Sequence, residues 1–309
     1  MQGNSAVERQ VAALLVDSQC ALGEGLVWCG ARHAWIWTDI DGSRIWFHRP
    51  SDGRTASWRA PDRVGSFVLC ESGGLLLALT NGLAMADIDL SGSEGADALL
   101  GGARLDSVEA EISTTRINDG RTDRHGAFVF GTYNEPEDAS IGSLYQYSTD
   151  RGLRRLDLGH VTTTNSICFS RGGETMYFCD SPQRRIMCCD YDSARAAVSN
   201  VRTFVEFRVD QGMPDGSVID TDGGLWNAEW GAGVVRRYDE RGQITHEVTV
   251  AATHPTCPAF GGAGLNDLAI TSARKATPAA ELARTPAAGG LFHTRVAGVR
   301  GIPESLFNG

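Results

Sequence analysis

The sequence predicts an all-β chain that folds as one six-bladed β-propeller with a metal site on its axis. Three observations carry this. The 309 residues include 37 Gly and 7 Trp, with 42% hydrophobic and 21% charged residues, a composition of many tight turns and short aromatic strands. A strand–turn–strand pattern recurs six times along the chain. An oxygen-bearing side chain recurs at one place in that pattern.

The repeats follow in order. ARHAWIWTDIDGSRIWFHRPSDG has two alternating strands around an Asp-Gly-Ser turn, and GGLLLALTNGLAMADIDLSG repeats this around Asn81-Gly82. HGAFVFGTYNEPEDASIGSLYQYSTDRG has the same plan with a longer loop. GGETMYFCDSPQRRIMCCDYDSA and GGLWNAEWGAGVVRRYDERG follow, then GLNDLAITSARKATPAAELARTPAAGGLFHTRV, whose hairpin carries an Ala/Pro-rich insertion. The units are roughly forty to fifty residues long, the length of a propeller blade. Each shows period-2 apolar alternation, and long amphipathic helical stretches are absent. Radial repetition leaves only short, protected strand edges, whereas a pair of β-sandwiches would not explain the repeat. Residues 1–309 therefore read as one domain, with a strand around Ala12 to Val16 closing the ring. The Trp and Phe of WIWTDI, RIWFH and GGLWNAEW are expected in the core between blades, including Trp226 and Trp230.

The repeats share a register. Eight residues before the Gly that opens each second strand lie Asp215 (from Gly223), Asn165 (from Gly173), Asn118 (from Gly126) and Ser66 (from Gly74). The same count reaches Glu24 from Arg32 and Thr256 from Gly264. The innermost strand of a blade lines the channel, so these six side chains should converge at one rim. Taken singly, Asp-Gly and Asn-Asp-Gly are ordinary turn sequences. Glu24 in LGEGLVW is not a turn residue by preference, and the shared register is unexplained by turns. Carboxylates and amides crowded on one axis repel or go unsatisfied unless a cation lies between them. Oxygen donors without Cys or His suit Ca²⁺, Mg²⁺ or Mn²⁺, and two carboxylates balance the charge.

The motifs LGEGLVW, RINDG, TNSICFS and MPDGSVIDTDGGLW together resemble the senescence marker protein/gluconolactonase/regucalcin family, over nearly the whole chain and in the family's order. The resemblance implies a six-bladed propeller that hydrolyses sugar lactones with one divalent ion. Ca²⁺ is the first expectation, with Mn²⁺, Mg²⁺, Zn²⁺ or Fe²⁺ as alternatives. It implies Glu24, Asn165 and Asp215 as metal ligands, Asn118 beside the metal, and Arg116 as a contact to substrate hydroxyls. Substrate contacts are also expected from Ser66, Tyr133 and Glu135, although GTYNEPEDASIGSLYQY departs from the animal members, which carry an acidic run there. TCPAFGG and TSARK resemble bacterial pentono- and hexonolactonases, so a pentonolactone such as L-arabinonolactone or D-xylonolactone is the expected substrate.

Lactone hydrolysis needs a polarised carbonyl and an activated water, and a metal supplies both. Asp215 is the expected general base as well as a ligand; the alternative is that it is a ligand only. No GxSxG nucleophile elbow occurs and no HExxH, which disfavours an α/β-hydrolase or a zincin. Two other readings stay open: a phosphotriesterase or aryl-esterase on the same metal propeller, and a non-enzymatic calcium-binding propeller. The net charge of −10 disfavours nucleic acid and anionic membrane as partners and leaves a small neutral lactone. Eight Cys without a CxxC pair, and an N-terminus without a basic region followed by an apolar run, point to a reduced, cytoplasmic protein, and a monomer is expected.

Overall fold

The computed structural model describes residues 7–87 and 102–309. Six sheets, antiparallel apart from one added N-terminal strand, form a six-bladed β-propeller. Their inner strands are Gly23–Cys29, Val64–Leu69, Thr115–Thr122, Thr164–Phe169, Met213–Ile219 and His254–Gly261, in blades one to six. Each is followed by a meander of outer strands, as the alternating patterns require. The end of the second repeat, 88–92, lies outside the described residues. Among the described residues the only helical pieces are a turn at Ser181–Gln183 and Ala279–Leu282, within the Ala/Pro-rich insertion.

The expected closing strand is present. Ala13–Val16 pairs antiparallel with Leu291–Arg295, so blade six joins one N-terminal strand to three C-terminal ones. The strand before it was not foreseen: Glu8–Val11 adds to blade five, parallel to Ile244–Thr249. The N-terminal segment thus crosses from one blade to the next at buried Ala12. This ties the ring at two blades instead of one.

Apolar side chains pack between neighbouring blades, as with Ile36 and Phe47 of blade one against Phe67 and Leu77 of blade two. Trp35, Trp37 and Trp226 are fully buried, as their alternation implied. Trp230 is a correction: it stands at the end of its strand, only partly buried, and lines a cavity. All eight Cys are buried and unpaired. The C-terminal segment runs across the far ends of the inner strands, bridging Asp220 through Gly301 and Cys70 through Phe307. On the way Glu304 reaches Arg121 of the third inner strand at 3.3 Å.

Candidate active site

Every inner strand carries a register irregularity near its start: between Glu24 and Val27, Val64 and Ser66, Ile117 and Gly120, Asn165 and Cys168, Pro214 and Ser217, and Pro255 and Pro258. Bulges bend a strand and re-aim a side chain, and they concentrate beside functional sites. The eight-residue count found this ring of bulges, although the ladders are not in strict register. Glu24 and Asn165 sit opposite Thr38 and Cys179, whereas Asn118 and Asp215 fall inside their bulges. After Glu24 the chain turns through Gly25 at φ 57°, which glycine adopts freely; after Asn165 it turns through Ser166 at φ 62°, which an L-residue adopts at a cost.

Four of the six counted residues are brought together. Glu24, Asn118, Asn165 and Asp215 line one cavity of about 290 Å³ at the axis. Arg116 and Tyr133 line it too. Ser66 and Thr256 are not brought there. The Ser66 hydroxyl donates to Gly120 O at 2.9 Å, and Thr256 donates to Gly23 O. A hydroxyl one carbon from the backbone reaches only the neighbouring blade's carbonyl. Thr38 on Val64 O, Asn118 on Thr164 O and Ser166 on Asp215 O do the same, so five of the six blade junctions are stitched around the axis by a side chain. Glu135 also lies outside the lining, forked by Arg63 at 2.6 and 3.1 Å, and Glu137 takes its place at the cavity. A larger hollow of about 740 Å³ at the outer rim, between blades three and four, has no orphaned carboxylate.

A relay of hydrogen bonds fixes the cavity floor. Arg116 Nη1 donates to Asn118 Oδ1 (2.7 Å), and Asn118 Nδ2 donates to Asn165 Oδ1 (2.9 Å). Asn165 Nδ2 donates to Ser181 Oγ (2.9 Å), which donates to Pro214 O (2.7 Å) beside Asp215. The carbonyl of Asp215 accepts from Ser166 Oγ (2.5 Å) and Asn227 Nδ2 (2.9 Å). Ser181, Ser166 and Asn227 were not singled out from sequence. Their signal, a small polar residue next to a bulge, is too common to stand out. Arg116 is buried, 4.8 Å above the Tyr133 ring, and its Nε makes no hydrogen bond but lies 3.6 Å from Glu135 Oε1. Desolvation, then a hydrogen bond to Glu137, raises Tyr133 to about 12, so it remains a donor.

The carboxylates are under electrostatic load. Burial, then the charge of Asp119, raises Glu24 to about 8. Burial, then Glu24 and Asp119, raises Asp215 well above the ordinary range. Asp215 Oδ1 is buried with no hydrogen-bond partner. Asp119, overlooked in the sequence, is spent on the backbone N–H groups of Gly120 and Ile167 and contributes only its charge. Among the described residues no three His, Cys, Asp or Glu gather as a metal cluster. A cation at Glu24 and Asp215 must therefore be completed by amide oxygen, and Asn165 offers one. Two desolvated carboxylates and an orphaned oxygen fit a hard divalent ion.

Together these features define a six-bladed β-propeller with an acidic, oxygen-lined site at one mouth of its axis. The chain belongs to the SMP-30/gluconolactonase/LRE-like family, whose model matches residues 22–274. It is 41% identical to an L-arabinolactonase of Azospirillum brasilense, over 93% of each chain. It is 33% identical to a 6-deoxy-6-sulfogluconolactonase of Pseudomonas putida, over 96% of this chain and 98% of that one. The fold superposes on a calcium-binding protein, regucalcin, of Agrobacterium tumefaciens with a TM-score of 0.88 and 27% identity, covering 98% and 99% of the two chains.

Proposed function

We propose that the protein is a lactonase that hydrolyses a small sugar lactone, a pentonolactone in the first instance, at one divalent ion held by Glu24, Asn165 and Asp215. The relatives named lactonases support the reaction, and the 41% identical L-arabinolactonase supports a five-carbon substrate. One observation carries the assignment: Asp215 is buried and Glu24 partly buried at the axis, each costly when charged, and one Asp215 oxygen has no partner. Such a pair is stable as two anions only with a cation between them. A cavity near 290 Å³ suits a monosaccharide derivative and excludes a polymer.

The bound ion would polarise the ester carbonyl and make water acidic enough to react at neutral pH. The chain's own residues do the rest. Asn118, held by Arg116, aligns the Asn165 oxygen. Asp215 takes the proton of the attacking water as oxygen adds to the carbonyl carbon. The ring C–O bond then breaks, and that proton passes to the departing ring oxygen, giving the open aldonic acid. Arg116 and the Tyr133–Glu137 pair line the cavity wall where substrate hydroxyls would lie, with the Tyr133 oxygen and the Glu137 carboxylate as acceptors. The assignment is tested by following acid release from pentono- and hexonolactones with chelator-stripped protein, before and after adding each divalent ion.

A further inference from the structure

The Ala/Pro-rich insertion of blade six does not leave the site. Lys275 and Ala276, at its start, line the same cavity as Asp215, as does Trp230 from blade five. Trp230 pairs across the ladder with Met213, two residues before Asp215. Its indole packs on the His254 ring, with centroids 4.1 Å apart and a 35° tilt. His254 Nδ1 shares a hydrogen bond of 2.9 Å with Thr277 of the insertion. Burial holds His254 below its ordinary pKa, so the ring packed on the indole is neutral at pH 7. Thr253, next to it, donates to Glu281 on the insertion's short helix and accepts the backbone N–H of Gly231, next to Trp230, through its carbonyl. The insertion thus fixes Trp230 through its ring and through its backbone.

We infer that Trp230 is a platform for the C–H face of the lactone ring, held by the insertion, and that it sets ring specificity together with Lys275. This rests on the lactonase reading of the same cavity. The wall fits that use. Leu22, Met213 and Pro214 extend the apolar surface around Trp230. Arg116, Asn118 and Tyr133 come from blade three, across a ring of six from the blade that carries Lys275. A sugar ring offers C–H bonds on its faces and hydroxyls at its edge. A flat indole takes the first and the polar groups of blade three face the second. Lys275, 3.0 Å from Asp41 and 38% exposed, is a cation at the mouth that meets an edge hydroxyl or the carboxylate of the product.

The test compares wild type with Trp230→Phe, Trp230→Leu and Trp230→Ala on a pentono-1,4-lactone, with folding followed by thermal melting. KM should rise about tenfold in Trp230→Ala, the size of one lost aromatic face, and less in Trp230→Phe than in Trp230→Leu. The value of kcat should stay within a few-fold. In wild type the pentonate product should quench tryptophan fluorescence, and Trp230→Phe should abolish that quenching. A KM within twofold of wild type in Trp230→Ala, or equal quenching in wild type and Trp230→Phe, overturns the platform. A wild type inactive on every sugar lactone overturns the lactonase reading instead, and the quenching comparison still decides whether Trp230 touches the ligand.

Discussion

Two residues of the site lend themselves to opposite outcomes. Asp215→Asn keeps the size and one oxygen donor but removes a charge and the proton acceptor. Its kcat at saturating metal should fall by about 10²-fold or more, the scale of a positioned general base. Asn165→Ala removes only a ligand oxygen, and excess metal should recover a good part of its activity; kcat against metal concentration for the two variants measures the contrast. If Asp215→Asn recovers fully, Asp215 is a ligand alone. Arg116 has two tasks, since Nη1 holds Asn118 while the side chain also lines the cavity. Arg116→Lys can still reach Asn118 but loses the fork. KM for the lactone should rise about tenfold while metal affinity, read by calorimetry, stays within a few-fold. At this scale sequence counting reached the four cavity residues because they share a place along the strand. It could not separate Ser66 and Thr256 from them. A count gives position along a strand, and the length of the side chain then decides whether it reaches the axis or folds onto the next blade.

At the scale of the element, the ring of bulges does two things at once. It aims the acid and amide side chains into the channel, and it leaves carbonyls that the neighbouring blade must satisfy. Ser66→Ala leaves Gly120 O buried without its donor, at a cost of ~1–3 kcal/mol, while kcat and KM stay within twofold. Chemical denaturation beside a lactone assay checks both halves, and a large KM change would restore Ser66 as a substrate contact. The strands were legible because alternation and turn residues mark them. The parallel strand Glu8–Val11 was not, because its sequence carries no partner information and parallel pairing joins it to a segment more than two hundred residues away. Trp230 was misread for a related reason. Alternation places it on a face, but its position as last residue of the strand puts it at the mouth.

The whole molecule is a ring built to hold charge on its axis, and this has a pH signature. Glu24 is raised to about 8 and Asp215 also upward in the ion-free protein, whereas an unfolded Glu titrates near ~4.3. Between those values the folded chain binds more protons than the unfolded one, so these groups make stability fall as pH rises; below the unfolded value both states are protonated and nothing is lost. The melting temperature of stripped protein should therefore drop from pH 5 towards pH 8. The drop should be shallower in Glu24→Gln, and a bound divalent ion should abolish it. The six-fold plan, the closing strand and the acidic register were all present in the pattern of one chain. The relay from Arg116 to Pro214 and the C-terminal segment that crosses the far ends of the inner strands were not, because they depend on how the blades are brought round to face each other. Whether lactone hydrolysis depends on one divalent ion at Glu24, Asn165 and Asp215 is decided by titrating metal-stripped protein while measuring both bound ion and pentonolactone hydrolysis. Activity should rise in step with occupancy and saturate at one ion per chain, and stripped Glu24→Gln should bind that ion far more weakly. Full activity in protein shown to contain no stoichiometric divalent ion would contradict it.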